Sequence, residues 1–212
     1  MLSNSYRQQI WLVLFLSPTL WATGCGSSVR AIPQLDLDPD TVAEEVFELY
    51  DKNGDDRLDA DELKTVPALA DAIDKIDNDS DGAISITELV ERLALLVNSP
   101  ARLAKITCTV LLDKKPLPGA TVRFLPESFL GGTVASASGE TGKSGNASIV
   151  ITGENVPAGI EGVRAMQLGY YKVEITHPSI QIPVIYNTDT TLGCEVSPAS
   201  QGGRILFSLV TK

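Results

Sequence analysis

Histidine and clustered positive charge are two features that this sequence has little of. Its 212 residues include one histidine, His177, which precedes Pro178, and 27 acidic residues outnumber 17 basic ones. A lone histidine at the end of an alternating segment is usually a turn residue, so we expect the chain not to be an enzyme. No basic patch is interleaved with aromatic residues, and an acidic chain repels phosphates, which disfavours nucleic acid as a partner.

An apolar run long enough to cross a bilayer is also missing near the start of the chain. The run IWLVLFL, residues 10–16, follows Arg7 and is too short to span a membrane. A short apolar run behind a basic residue is typical of a signal-peptide core. The sequence therefore predicts that the protein is exported.

The segment LWATGC, residues 20–25, resembles the lipobox of bacterial lipoproteins. The resemblance implies a signal peptide over residues 1–24, cleavage before Cys25, and lipid chains on that cysteine that anchor the protein stably in a membrane. The next residue is Gly26 and not the aspartate of the inner-membrane retention signal, so the resemblance implies the outer membrane or the cell surface. An ordinary signal peptide that leaves Cys25 free is the alternative.

Residues 25–37 carry Gly, Ser and Pro without periodicity, which predicts a flexible tether.

Acidic residues are concentrated in one part of the chain. Residues 36–91 then contain 19 acidic and 4 basic residues, whereas residues 92–212 contain 8 acidic and 11 basic residues. The negative charge is therefore regional and calls for a local explanation.

Two twelve-residue segments supply that explanation. They are DKNGDDRLDADE at 51–62 (loop one) and DNDSDGAISITE at 77–88 (loop two). Calcium takes six to eight oxygen ligands, and a coiled loop of this length offers them from positions 1, 3, 5, 7, 9 and 12. The predicted ligands are Asp51, Asn53, Asp55, the carbonyl of Arg57, Asp59 and Glu62 in loop one, and Asp77, Asp79, Asp81, the carbonyl of Ala83, Ser85 and Glu88 in loop two.

The two loops differ at position 6, where the chain turns sharply. Loop two has the usual glycine, Gly82, whereas loop one has Asp56. The turn needs a positive φ, which costs most L-residues roughly 1–2 kcal/mol but aspartate somewhat less. We therefore expect loop one to bind calcium more weakly than loop two, not to have lost it.

Residues 38–99 resemble a pair of EF-hands, because both loops match the ligand pattern of that family. The resemblance implies two calcium ions, with Glu62 and Glu88 as bidentate ligands. Only 14 residues separate the loops, so the helices between them must be short, and we expect a compact four-helix pair. Pro67 suits the first turn of a helix that ends at Ile76.

Calcium sensors often line an opened groove with methionine, but this chain has only Met1 and Met166. The composition favours a structural or buffering calcium site over a sensor.

From about residue 104 the sequence consists of short alternating runs separated by Gly, Pro, Asn and Ser. This texture predicts an all-β antiparallel sandwich over residues 103–212. The predicted strands are AKITCTVLL, ATVRFLP, NASIVIT, GYYKVEIT, the region around IPVIYN, and RILFSLV.

KKPLPGATVRF (114–124), GETGKSGNASIVI (139–151), and VPAG with YYKVEI (170–175) resemble pieces of transthyretin-like, carboxypeptidase regulatory-like modules. The resemblance implies a fold more than an activity. Some relatives of such modules are hydrolases, but their sites need several histidines, so a hydrolase is a remote alternative here.

Cys108 and Cys194 both lie in alternating runs that face the predicted core. In an oxidising compartment an even pair of cysteines suggests a disulfide, but two buried free thiols are an equally good interpretation.

Taken together, these patterns predict an exported, lipid-anchored protein with a calcium-binding EF-hand pair and a sandwich for display or interaction. The alternative is a cell-envelope adhesion or scaffold protein whose sandwich binds an envelope protein or a glycan.

Overall fold

The protein is described by a computed structural model that covers residues 34–153, Val156 and residues 159–211. The predicted signal peptide, Cys25 and most of the tether lie outside the described residues. Within them, a helical part is followed by a β-sandwich, which confirms the predicted fold class. None of the described helices has the length and apolar character needed to cross a membrane.

Three α-helices form the first part: α1 (Pro39–Tyr50), α2 (Pro67–Ile76) and α3 (Ile86–Val97). The predicted bounds of α2 are confirmed, with Pro67 in its first turn, where a missing N–H costs nothing. The expected fourth helix, after loop one, is wrong: a single 3-10 turn, Leu63–Thr65, takes its place. Pro67 begins α2 too soon after it for a longer helix, since a residue before proline avoids helical backbone angles.

Thirteen short strands complete the fold of the described residues. They are β1 (Arg57–Leu58), β2 (Ile84–Ser85), β3 (Leu103–Ala104), β4 (Thr107–Leu112), β5 (Lys115–Pro116), β6 (Thr121–Pro126), β7 (Ala137–Glu140), β8 (Asn146–Ser148), β9 (Val150–Ile151), β10 (Met166–Gln167), β11 (Gly169–Thr176), β12 (Gly193–Val196) and β13 (Arg204–Leu209).

Two sheets make the sandwich. One has the strand order β12-β11-β6-β7-β9, and the other has the order β13-β4-β5 with β8 also paired to β4. The pairs are antiparallel except β13 and β4, which run parallel. Phe124 of the first sheet contacts Phe207 of the second, with ring centroids 6.2 Å apart, and also Tyr171 of its own sheet at 6.4 Å. These rings fill the space between the sheets.

The strand predictions are confirmed for β4, β6, β8 with β9, β11 and β13. The prediction around IPVIYN is wrong, because Val184–Tyr186 forms a 3-10 helix. Asn187, just after it, supports the local turn: its side-chain amide donates to the carbonyls of Ile182 and Pro183, and the Pro183 carbonyl also accepts the Tyr186 N–H at 3.0 Å.

The helical part and the sandwich share one continuous apolar core. Helix α2 packs mainly on β12 and β11, and only slightly on α3. Glu127 at the end of β6 accepts the Ala68 N–H at the start of α2 at 3.4 Å, in a buried position. No sequence pattern predicted this interface.

Phe124→Ala should lower the free energy of unfolding by about 3–5 kcal/mol, because it opens a cavity between the sheets. Leu206→Ala is the matched control: Leu206 lies in the same sandwich but is 58% exposed, so the loss should stay within about 0.5 kcal/mol. Urea unfolding followed by circular dichroism measures both, and equal losses would contradict a core centred on Phe124.

Candidate metal centre

Loops one and two lie side by side, held by a short backbone ladder. Strands β1 and β2 pair antiparallel, with Arg57 opposite Ser85 and Leu58 opposite Ile84. Leu58 and Ile84, the residues at position 8 of their loops, are fully buried. The ladder fixes positions 7, 8 and 9 of the two loops relative to each other.

In loop one the carboxylate at position 12 accepts hydrogen bonds from three backbone N–H groups of the loop. Glu62 accepts the N–H groups of Lys52 at 2.7 Å and Asn53 at 3.2 Å through one oxygen. Its other oxygen accepts the Asp59 N–H at 3.1 Å. Glu62 is only 8% exposed, so the loop closes over it.

Loop two repeats this arrangement at the equivalent positions. Glu88 accepts the N–H groups of Asn78 at 2.8 Å and Asp79 at 3.4 Å, and that of Ser85 at 2.9 Å. Ser85 and Glu88 also form a capping box that begins α3, since the Ser85 side chain accepts the Glu88 N–H. The carboxylate that is predicted to bind the ion therefore also fixes the start of a helix.

Backbone N–H groups also hold the ligands at positions 1, 3 and 5. In loop one, the Asp51 carboxylate accepts the backbone N–H groups of Gly54 and Asp56, the Asn53 side chain accepts that of Asp55, and the Asp55 carboxylate accepts that of Arg57. In loop two, the Asp77 carboxylate accepts the N–H groups of Asp81 and Gly82, that of Asp79 accepts the Asp81 N–H, and that of Asp81 accepts the Ala83 N–H. Such bonds fix the oxygens in place while leaving their remaining lone pairs free.

Three carboxylates converge in loop two. One oxygen from each of Asp77, Asp79 and Asp81 lies within 4.8 Å of the others. Loop one has the amide of Asn53 at the middle of these positions, so its first turn contains two carboxylates instead of three. Each loop has four ligand carboxylates in all, because position 9 is Asp59 in loop one and Ser85 in loop two, but loop two concentrates three of its four in the first turn.

Electrostatics in loop two reflect this crowding. Partial desolvation and the negative charges of Glu88 and Asp77 raise the pKa of Asp79. Glu88 behaves oppositely: desolvation pushes its pKa up, but the hydrogen bonds from Ser85, Asn78 and Asp79 outweigh it and lower the pKa. Loop two therefore keeps a charged carboxylate at position 12 and accumulates like charge in its first turn, which a cation would relieve.

The side chain of Arg57 adds a contact that the sequence did not predict. Its guanidinium forms an ion pair with Asp81 of the neighbouring loop. Arg57 was predicted only to offer its carbonyl, yet it also places positive charge beside a ligand of the second site.

Position 6 has the expected backbone in both loops. Asp56 has φ of 62° and Gly82 has φ of 87°. Asp56 therefore adopts the left-handed conformation and its N–H reaches the Asp51 carboxylate at 3.0 Å. The turn of loop one is intact, as predicted.

The oxygen donors fit a hard cation. Both donor sets consist of oxygens, the ligands that calcium prefers: carboxylate, amide and carbonyl in loop one, and carboxylate, hydroxyl and carbonyl in loop two. Neither set includes the nitrogen or sulfur that would favour a softer metal. All twelve predicted ligand residues lie in the two adjacent loops.

Cys108 and Cys194 are far from this centre in sequence, and both are buried free thiols in the structure. Burial raises the pKa of Cys108 to about 11 and raises that of Cys194 above its ordinary value. Since the thiolate is the form that reacts, burial keeps both thiols unreactive.

Comparison with known proteins gives one finding. The EF-hand family model matches two consecutive segments, residues 43–67 and 69–94, which contain the two loops with their helices. Comparisons with curated proteins and with solved structures found no match. The two EF-hand matches support calcium binding by this chain.

Asp56→Gly should strengthen calcium binding by loop one about fivefold, because it relieves roughly 1 kcal/mol of left-handed strain. Gly82→Ala is the reciprocal change and should weaken loop two by about tenfold, since alanine tolerates a positive φ less well than aspartate. Calorimetric titration of each loop, with the other one disabled, measures both, and an unchanged affinity for Asp56→Gly would contradict a strain at Asp56 that opposes calcium binding.

Proposed function

We propose that this chain is an exported, lipid-anchored calcium-binding protein in which calcium is structural and the sandwich serves display or interaction. The carrying observation is that twelve ligand residues occupy two paired loops whose carboxylates are already held by backbone N–H groups. Bound calcium would supply positive charge at the centre of each loop and so bridge the helices on either side.

A structural role suits the helices better than the opening of a sensor. The buried side chains of α2, among them Leu69, Ala72 and Ile76, are already covered, and α2 packs on the sandwich. In a sensor such an apolar face is released to a partner. Here the same face belongs to the common core.

Export and anchoring rest on the sequence of residues 10–25. The apolar run with its lipobox-like end supports a lipid anchor on Cys25, and Gly26 supports the outer membrane or the cell surface. Calcium can be abundant outside the cytoplasm, so weak sites there can be filled without regulation.

A role without catalysis is supported by the way His177 is used. Its Nδ1 accepts the N–H groups of Ser179 at 3.1 Å and Ile180 at 3.0 Å. Its Nε2 lies 3.0 Å from the carbonyl oxygen of Pro118, to which it donates. Because both ring nitrogens already bind backbone, His177 joins two turns and has no nitrogen left for a substrate.

An adhesion or scaffold role for the sandwich is the second candidate. The segment between β11 and β12 exposes large apolar side chains: Ile180 is 40%, Val184 56% and Ile185 44% exposed.

If this segment is the binding surface, residues 26–212 carrying Val184→Ser and Ile185→Ser should be retained less by immobilised envelope material than the parent protein is. Equal retention of the two proteins would exclude this segment as the binding surface.

Calcium titration of residues 26–212 by calorimetry tests the proposed activity. We expect two sites. Glu62→Gln should abolish or strongly lower the calcium affinity of one site, and Glu88→Gln that of the other. Each loss should exceed the roughly 10- to 100-fold loss of affinity that follows removal of a residue that only supports a metal ligand. Glu140→Gln, at an exposed position of the sandwich strand β7, is the control and should bind like the parent. No heat and no thermal stabilisation by calcium would mean that the loops are only acidic surface.

Cys25→Ser tests the anchor. In a bacterial host the parent should incorporate labelled fatty acid and sediment with membranes, and the variant should do neither, because lipid chains provide the membrane affinity. Cys108→Ser should be labelled like the parent. Equal labelling of all three proteins would contradict lipidation at Cys25.

A further inference from the structure

Loop two is attached to the sandwich at both of its ends. The entering helix α2 ends at Ile76, just before the ligand Asp77, and the exit helix α3 contains the ligand Glu88 in its first turn. Both helices contact the same strand, β12. The distance between the two ends of the loop is therefore set partly outside the EF-hand pair.

The contact with α2 is made by backbone. A β-carbon at Gly193 would overlap the carbonyl of Pro67 and the N–H of Ala68. Glycine is thus required for α2 to lie this close to β12. The buried Glu127 carboxylate adds a hydrogen bond to Ala68, at the positive end of the helix dipole.

The contact with α3 is a buried ion pair. The guanidinium of Arg92 donates to both carboxylate oxygens of Glu195, at 2.7, 3.0 and 3.2 Å. The Glu195 side chain is fully buried and that of Arg92 is 19% exposed. A bidentate pair of this kind fixes the orientation of both partners, and removal of one partner leaves an uncompensated buried charge.

We propose that strand β12 is part of the frame of the second calcium site, with Gly193 and Glu195 as positioning residues that hold α2 and α3 at the spacing the loop needs. This inference rests on the proposed calcium binding. By linkage, the coupling is reciprocal: the docked sandwich raises the calcium affinity of loop two, and calcium in loop two stabilises the sandwich.

The first test is calorimetric titration of residues 26–212 in a Glu62→Gln background, where loop two is the remaining site. Glu195→Gln and Gly193→Ala should each lower its calcium affinity about fivefold or more, in the range typical of coupled sites. Glu174→Gln is the matched control, because it breaks the exposed Arg123–Glu174 ion pair of the same sandwich and should leave the affinity unchanged.

The second test uses the reciprocal effect and a signal from the sandwich alone. With Tyr50→Phe, the tyrosines left in residues 26–212 are Tyr170, Tyr171 and Tyr186, all in the sandwich. Calcium should raise the thermal midpoint of their near-ultraviolet circular dichroism in the parent and in Glu174→Gln, and raise it less in Glu195→Gln.

The outcomes separate the two proposals. No calcium binding in the Glu62→Gln parent would overturn calcium binding by loop two and the coupling with it. Binding with the same affinity in Glu195→Gln, and the same calcium-induced shift of the tyrosine signal, would overturn the coupling while calcium binding stands. Glu195→Gln is the decisive variant, since it keeps the shape of the side chain if Gly193→Ala fails to fold.

Discussion

Close backbone contact between helix α2 and strand β12 is the constraint on which the arrangement of this molecule depends. There is no room for a side chain at Gly193, and the start of α2 lies directly against the strand. Since α2 leads straight into loop two, the sandwich and the loop share one rigid connection. The Arg92–Glu195 ion pair is a second contact between loop two and the sandwich, made through α3. The protein is therefore not a string of independent modules, because its core continues from the helices into the sheets.

The second organising interaction is the capture of backbone N–H groups by the ligand carboxylates. Glu62 and Glu88 each accept three of them from equivalent positions. This shapes the loops in advance of any cation, and so lowers the ordering that binding requires. The cost is concentrated negative charge, which acts together with desolvation to raise the pKa of Asp79. An ion that neutralises this charge would hold together loops, helices and, through β12, the sandwich.

The calcium loops were readable from the sequence because each ligand is local. Twelve residues contain a complete donor set, so spacing alone identifies Asp51 to Glu62 and Asp77 to Glu88. The start of α2 was equally predictable, because proline is tolerated in the first turn of a helix and disrupts the turns that follow. The strand ATVRFLP was predictable from its alternation, and the structure places Val122 and Phe124 on its buried face.

What the sequence did not reveal depends on partners far along the chain. Arg92 and Glu195 are 103 residues apart, and nothing around Arg92 marks it as different from a solvated helical arginine. In the sequence nothing distinguishes Gly193 from an ordinary turn glycine, because the need for glycine at this position comes from its close contact with α2. The IPVIYN segment has strand-forming residues, but the Asn187 side chain donates to the carbonyls of Ile182 and Pro183 and supports a turn there. The disulfide alternative was open for the same reason, since alternation places Cys108 and Cys194 inside without stating what each one contacts.

A crystal structure of residues 26–212 grown with calcium would show whether the sandwich frames a calcium-filled loop. We expect one ion in each loop, bound by the oxygens of residues 51–62 and 77–88, with α2 still against Gly193 and Arg92 still paired with Glu195. Loops without ions, or helices that leave β12 when calcium binds, would contradict this expectation.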